Sequence, residues 1–450
     1  MKDLIEKYNI PAPRYTSYPT VPYWDQVPNE TDWQEEVKRS FIKNNSEGIS
    51  LYIHLPFCES LCTYCACNTR ITVNHRVEQP YIEALIKEWE LYLGLFSEKP
   101  LLRELHLGGG TPTFFAAENL RLLLSTIFKS CDISPAADFS FEGHPSNTTE
   151  LHLRTLYKLG FRRVSFGVQD FDANVQEAIN RYQSPEEVQR VMEQARLIGY
   201  TSVNVDLVYG LPYQSLDSVK STIARVIALK PERIAFYSYA HVPWLKPGQR
   251  RYTEADLPLA SEKRALYEAG KELFAAAGYT DIGMDHFALP GDDLLAAFNN
   301  RMLHRNFMGY TTSQTKLLIG LGCSAISDSW GAFAQNIKTV EEYTSAVYEG
   351  KFPLMKGHLL NAEDLCIRQH ILNLMCRHES DFSRTAADAT LLADCMPRLE
   401  PLLEDGLIHI NDAKVCVSDQ GRLFLRNICL AFDKRYWARQ PQTNLFSTTA

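Results

Sequence analysis

The chain has 450 residues and a formal net charge of −8, with 45 % hydrophobic and 22 % charged residues. These are globular values, which exclude a largely disordered or fibrous chain. The acidic balance argues against a general nucleic-acid binder while leaving room for a local basic pocket. At about 150 residues per domain, the length allows roughly three domains, or one large barrel with an accessory unit. No apolar run approaches the roughly 18 residues of a membrane span. The charged stretch Met1–Asn9 lacks the apolar core of a secretory signal, which points to the cytoplasm.

The first 30 residues are rich in Pro and Tyr, including Pro11, Pro13, Arg14, Tyr15, Tyr18 and Pro19. They predict an extended, ordered arm, since Pro blocks helix and the aromatics need cover. From about residue 48 a β/α rhythm begins. Short apolar runs predict strands at Ile49–Ile53, Arg103–Leu107, Phe139–Glu142, Arg163–Val168, Ser202–Leu207 and Arg233–Tyr237. Between them, Ile82, Leu85, Ile86, Trp89 and Leu93 mark one helical face, and Leu120, Leu123, Leu124 and Ile127 another. Gly160 and Gly199 sit where a helix should end. Strands separated by helices pair in parallel with right-handed crossovers. The fold class is therefore α/β, either an open doubly wound sheet or a barrel. In both, chemistry belongs to the loops after the strands' C-terminal ends.

The first predicted strand runs into Cys58, Cys62 and Cys65, spaced C-x3-C-x2-C, with Cys67 close behind. Three thiolates in one short loop suit an iron–sulfur cluster and leave one iron open for a substrate. A zinc site closed by Cys67 is the alternative. The other seven cysteines, Cys131, Cys323, Cys366, Cys376, Cys395, Cys416 and Cys429, are scattered singly and read as buried thiols. The second strand ends in Gly108-Gly109-Gly110-Thr111, either a plain turn or a backbone that lets a ligand approach closely. Glu142, Gln169 and Asp206 fall at successive strand ends. Carboxylates there are costly to bury unless paired, and together they suit the ammonium or hydroxyls of a nucleoside-type cofactor.

After about residue 355 the pattern turns helical. A hairpin is predicted around Asn411-Asp412, and a final helix over 419–436. A winged-helix-like tail raises DNA binding, but this one is not strongly basic and reads as a structural cover.

The cysteine triplet and glycine loop resemble the radical S-adenosylmethionine (SAM) enzymes. Pro13–Thr20, Cys67, Gly167–Phe171, Asp206–Pro212, Tyr239-Ala240-His241, Gly283–Phe287, His304–Phe307, Gly309–Thr312, Ser324–Ser327 and Arg426–Cys429 extend that resemblance to the oxygen-independent coproporphyrinogen III dehydrogenases. It covers nearly the whole chain. It implies a partial (β/α)6 radical SAM barrel over 48–290, an arm and helix over 1–47, a barrel-completing segment over 291–354 and a C-terminal helical, winged-helix-like domain over 355–450. Cys58, Cys62 and Cys65 would hold a [4Fe–4S] cluster. Two SAM molecules are implied: Tyr52, Gly109, Glu142 and Ile326 would contact one, and Tyr64, Gly110, Thr111, Gln169, Arg181, Asp206 and Ala240 the other. Tyr64 stands where Phe is usual, Ala66 where Gly is common, and Leu374–His378 departs from the family pattern.

The implied reaction is oxidative decarboxylation of two propionates of coproporphyrinogen III to vinyl groups by a 5′-deoxyadenosyl radical. Flavodoxin or ferredoxin would supply electrons to a cytoplasmic monomer that needs neither nucleic acid nor membrane. The substrate's carboxylates call for arginine. Arg14, on an arm expected to close over the barrel mouth, and Arg305 are the candidates, against surface or backbone-binding roles. The runner-up function is the related haem chaperone. Its His-Asn-x-x-Tyr-Trp motif is absent at His304-Arg305-Asn306-Phe307, and Cys67 also argues against it.

Overall fold

Each predicted apolar run forms a strand that extends beyond it, at the N-terminal end most of all in the strand that starts at Asp132. The computed structural model describes residues 2–24, 29–441 and 446. The strands are β1 (Ile49–Leu55), β2 (Leu101–Gly109), β3 (Asp132–Gly143), β4 (Arg163–Gln169), β5 (Ser202–Tyr209) and β6 (Arg233–Ser238). They lie in sequence order and pair in parallel throughout. Helices Glu78–Leu93, Ala117–Lys129, Glu150–Lys158, Pro185–Ile198 and Leu216–Ala228 fill the crossovers. Ile82, Leu85 and Trp89 are buried, as are Leu120, Leu123, Leu124 and Ile127. Gly199 ends its helix at φ +116°, a left-handed position that disfavours a side chain.

Among the described residues the sheet has 12 strands and does not close. Beyond β6 lie antiparallel β7 (Thr280–Gly283) and β8 (His286–Ala288), with β8 next to β6. Beyond β1 lies β9 (Leu318–Leu321), a seventh parallel strand. Antiparallel β10 (Ile326–Asp328), β11 (Ala332–Asn336) and β12 (Leu354–Leu359) follow it. The order β12-β11-β10-β9-β1-β2-β3-β4-β5-β6-β8-β7 describes a partial barrel with antiparallel edges. The sheet thus continues to Leu359, past the change of rhythm read at residue 355.

Among the described residues two large hydrophobic cores divide the chain, with a third, small cluster of Val175, Ile179, Val208, Leu211, Tyr239 and Tyr252 packed against Tyr64. The larger lies between the sheet and its helices and takes in Trp33, Val37 and Phe41 of helix Glu30–Asn44. The second belongs to the C-terminal unit and takes in Tyr15 and Tyr18 of the arm. The arm is therefore stitched into the C-terminal unit, and from there it carries Arg14 to the barrel mouth. The Tyr15 hydroxyl donates to Asp433 at 3.0 Å, and Asn427 Nδ2 donates to the Tyr8 carbonyl at 2.9 Å.

The predicted hairpin forms from Ile408–Asn411 and Lys414–Val417, joined by a third strand, Glu379–Asp381. The predicted helix over 419–436 is corrected to three pieces: Gly421–Phe424, Leu425–Ala431 and Lys434–Ala438. The break falls at buried Asp433, whose carboxylate accepts the Tyr436 N–H and so starts a new helix. Of the seven scattered cysteines, Cys366 and Cys416 are only partly buried. Among the described residues no helix is long and apolar enough to cross a membrane.

Candidate active site

Parallel strands place all their C-terminal ends on one side, so the loops after β1 to β6 meet there. They enclose a cavity of about 880 Å³. Its lining includes Cys58, Cys62, Tyr64 and Cys65 after β1, Gly109, Gly110 and Thr111 after β2, and Glu142 from β3. Gln169 and Arg181 follow β4, Asp206 comes from β5, Ala240 follows β6, and Arg14 reaches in from the arm. Cys67 lines the same space.

Three expected residues do not line it. Tyr52 lies behind the wall: its ring stacks on His106 with centroids 6.1 Å apart, and its hydroxyl is 3.1 Å from His54 Nδ1. Ile326 starts β10, and its carbonyl presses on Gly320, the β9 partner of Tyr52. Arg305 is buried in the hairpin His304–Asn306/Gly309–Thr311, with its guanidinium 4.5 Å from the Tyr310 ring centroid. It donates to the Arg14 carbonyl at 3.2 Å, so of the two roles read for it the backbone-binding one is observed.

The cysteine loop is anchored from below. Thr63 donates its hydroxyl to Ala178 O at 2.9 Å, and Asn180 Nδ2 donates to Leu61 O at 2.8 Å. Both partners belong to the segment after β4, so the loop's position is set by a neighbouring β/α unit. Burial pushes the Cys58 thiol up to about 11, against the pull of the Thr111 hydroxyl 3.3 Å away. Cys65 goes the other way, down to about 6. A hydrogen bond from the Cys67 thiol dominates, and Lys246 and Arg181 add positive charge. Arg181 Nη1 lies 3.6 Å from Cys62 Sγ. Cys65 is thus biased toward the thiolate, the donor form a metal–sulfur core needs, while burial keeps Cys58 a thiol in the ligand-free protein. Among the described residues, the ligand atoms that do gather within 4.8 Å are those of Cys366, His370 and Asp388, in the C-terminal unit.

The glycines of the second loop serve the protein's own packing. A Cβ on Gly110 would lie 2.6 Å from the Pro56 carbonyl group, and the Gly110 N–H donates to Leu55 O at 2.8 Å. The residue is glycine because this loop must dock on the base of the cysteine loop.

The carboxylates differ in state. Burial opposes charge on Glu142, but His106 Nε2 at 3.5 Å and the Gly109 N–H at 3.3 Å outweigh it and hold the group below its ordinary range. Among the described residues Asp206 accepts the Ser165 hydroxyl at 2.9 Å, with Arg181 adding a weaker favourable charge. Burial, reinforced by Glu142, pushes it up to about 7. One cavity therefore presents a fixed anion and a titratable one. Asp170, next to Gln169, is fully buried and spent on Gln214, Thr222 and the Asp172 N–H, a structural role. Gln169 adopts φ +67°, a conformation costly for a non-glycine residue and concentrated at functional sites.

Residues 52–226 match the Radical SAM superfamily model. The chain is 38 % identical to the oxygen-independent coproporphyrinogen III oxidase of Pseudomonas aeruginosa, over 96 % of this chain and 95 % of that one. It is 37 % identical to that of Escherichia coli K12, over 98 % and 96 %. The chain belongs to the oxygen-independent coproporphyrinogen III oxidase family of radical SAM enzymes. The structure of coproporphyrinogen III oxidase (HemN) from Escherichia coli superposes with a TM-score of 0.90 at 36 % identity, covering 96 % of this chain and 98 % of that one.

Other residues of this family member's site escaped the sequence reading. His106 holds Glu142 and is itself placed by Ser140 Oγ at 2.8 Å. Its signal was present: His106 alternates with buried Leu105 and Leu107 on β2 and pairs across the sheet with Tyr52. Gln249, fully buried, donates from Nε2 to both Tyr64 O and Ala240 O at 3.2 Å, tying the cysteine loop to the loop after β6. Nothing in the local sequence marks Gln249.

Proposed function

We propose that this chain catalyses the oxidative decarboxylation of two propionate side chains of coproporphyrinogen III to vinyl groups, giving protoporphyrinogen IX in oxygen-independent haem biosynthesis. The observation that carries the reading is the convergence of the cysteine loop, Glu142, Gln169, Arg181 and Asp206 on one cavity. Family membership supplies the substrate class.

Cys58, Cys62 and Cys65 would hold a [4Fe–4S] cluster, with Arg181 balancing thiolate charge at Cys62. When bound, the cluster and SAM would supply a carbon-centred radical able to take one hydrogen atom from a propionate carbon, after which loss of CO2 to form the vinyl group passes one further electron to a one-electron acceptor. We assign Gly109 and Glu142 to the first SAM, with Tyr52 and Ile326 supporting from behind the wall. The ionised Glu142 offers an acceptor to its amine or hydroxyls. Tyr64, Gly110, Thr111, Gln169, Arg181, Asp206 and Ala240 would take a second SAM. A flavodoxin- or ferredoxin-class electron donor, a monomeric state and a cytoplasmic location complete the proposal.

The haem-chaperone alternative is not favoured. Burial holds His304 down to about 4, and His304 does not line the cavity. Anaerobic incubation of the cluster-loaded protein with coproporphyrinogen III, SAM and a reductant tests the reading. Protoporphyrinogen IX with 5′-deoxyadenosine is the expected result; haem binding without turnover would overturn it.

A further inference from the structure

A second hollow, of about 70 Å³, opens beside the large cavity and shares Arg14 and Ser238 with it. It lies between the barrel and the C-terminal unit. Five cationic side chains line it, namely Arg14, Lys263, Arg264, Arg422 and Arg426, against two carboxylates, Asp281 and Asp285.

Both carboxylates are already engaged. Asp285 pairs with Arg14 at 2.5 Å, and Asp281 with Lys271, outside the hollow, at 3.0 Å. Lys263 donates to the Tyr239 carbonyl at 2.7 Å, which uses one of its three N–H groups. Burial, with Arg14 and Arg426 adding repulsion, brings its ammonium down to about 8. Arg426 is lowered to about 10, again by burial and by Arg14. The Arg264 Nε is buried with no hydrogen-bond partner among the described residues. Arg264 pairs with Glu268, and Arg426 donates to the Ala12 and Pro13 carbonyls. Lys263 and Arg422 donate only to backbone carbonyls among the described residues, so neither has a carboxylate partner at the edge of the large cavity. A buried cation cluster of this kind is completed by an anion with planar, two-oxygen geometry.

We propose that this hollow receives one propionate carboxylate of the tetrapyrrole substrate, held by Lys263 and Arg14 with Arg422 and Arg426 behind them. The proposal rests on the coproporphyrinogen reading above. The hollow holds a short carboxylate-bearing arm but no ring. None of the cysteines, nor Glu142 or Asp206, lines it. The arm it holds is therefore an anchor that does not react, and it orients the ring so that another arm faces the cysteine loop.

The test compares cluster-loaded wild type with Lys263→Met, Lys263→Arg and Arg422→Gln. The readouts are KM and kcat for coproporphyrinogen III, and equilibrium binding of coproporphyrin III followed by fluorescence. Lys263→Met should raise KM and weaken coproporphyrin binding roughly tenfold, the loss of one charge-assisted contact. Iron content should be unchanged, kcat should shift much less than KM, and Lys263→Arg should restore most of the binding. Arg422→Gln keeps the test open if Lys263→Met misfolds. Wild-type KM and binding in both charge-removing variants would overturn the anchor while leaving the decarboxylase reading intact. A wild type that neither binds nor decarboxylates the tetrapyrrole would overturn both.

Discussion

Arg181 ties the cysteine loop to the end of β4: its Nη1 lies 3.6 Å from Cys62 Sγ while its Nη2 donates to the Gly167 carbonyl at 2.5 Å. Gly167 lacks a side chain where a Cβ would lie 3.0 Å from that guanidinium. A buried cation is thus locked between a thiol that should ligate iron and the wall assigned to the second SAM.

Replacing Arg181 by Met removes that cation from the cluster's surroundings. The reduced cluster, which carries one more negative charge, loses the most stabilisation. The midpoint potential should fall by an amount of the order of 50 mV with iron content retained. An EPR-monitored redox titration checks this, and an unchanged potential would detach Arg181 from the cluster.

Cys67 lines the same cavity as the other three cysteines and donates its N–H to Cys65 Sγ at 3.4 Å. That contact supports Cys65 as a thiolate without making Cys67 a ligand. Cys67→Ser should keep iron near the wild-type level, whereas Cys62→Ser should lose most of it. Equal iron loss in the two variants would show four ligands where three are assigned.

Asp206 sets a pH dependence in the ligand-free protein. Its folded-state pKa of about 7 lies above the ordinary aspartate value of 3.8, so the folded state holds the proton more tightly than the unfolded one. Its contribution favours folding in acid and is lost as pH rises from about 4 to about 7. Asp206→Asn keeps a group that can accept from Ser165 but cannot ionise. Its melting temperature relative to wild type should therefore improve between about pH 5 and about pH 8. A constant difference across that range would show that Asp206 does not titrate there.

The arm is a structural part of the C-terminal unit. Tyr15→Phe leaves one oxygen of buried Asp433 without its donor and should cost about 1–2 kcal/mol in denaturant unfolding. Deleting residues 1–24 removes Tyr15, Tyr18 and the carbonyls of Ala12 and Pro13 that bind Arg426. The truncated chain should melt several degrees lower even without substrate. An unchanged melting temperature would restore the view of the arm as a free lid.

Much of the site was legible because short-range rules wrote it. The C-x3-C-x2-C spacing needs no fold to bring its thiols together, and a polar residue ending an apolar strand is conspicuous wherever the strand lies. Glu142, Gln169 and Asp206 could be gathered into one site because parallel β/α units have a single catalytic end. The resemblance supplied Arg181 and Ala240, which periodicity does not mark. Arg305 is harder to place for the opposite reason: an arginine's charge shows in sequence but its partners do not, and here a tyrosine ring and a backbone carbonyl meet part of the guanidinium while Nε and Nη1 have no partner among the described residues.

By itself the sequence determined the β/α order, the cysteine loop and the row of polar strand ends, since each depends on residue type and local spacing. Only the tertiary structure decided that the sheet stays open with antiparallel edges, that the arm belongs to the C-terminal core, and that Arg14, Lys263, Arg422 and Arg426 share one hollow. Those four cations are separated by up to some four hundred positions in the chain. No local rule links them. Their meeting follows from the packing of the C-terminal unit against the strands around Asp285, which brings together charges that the sequence scatters.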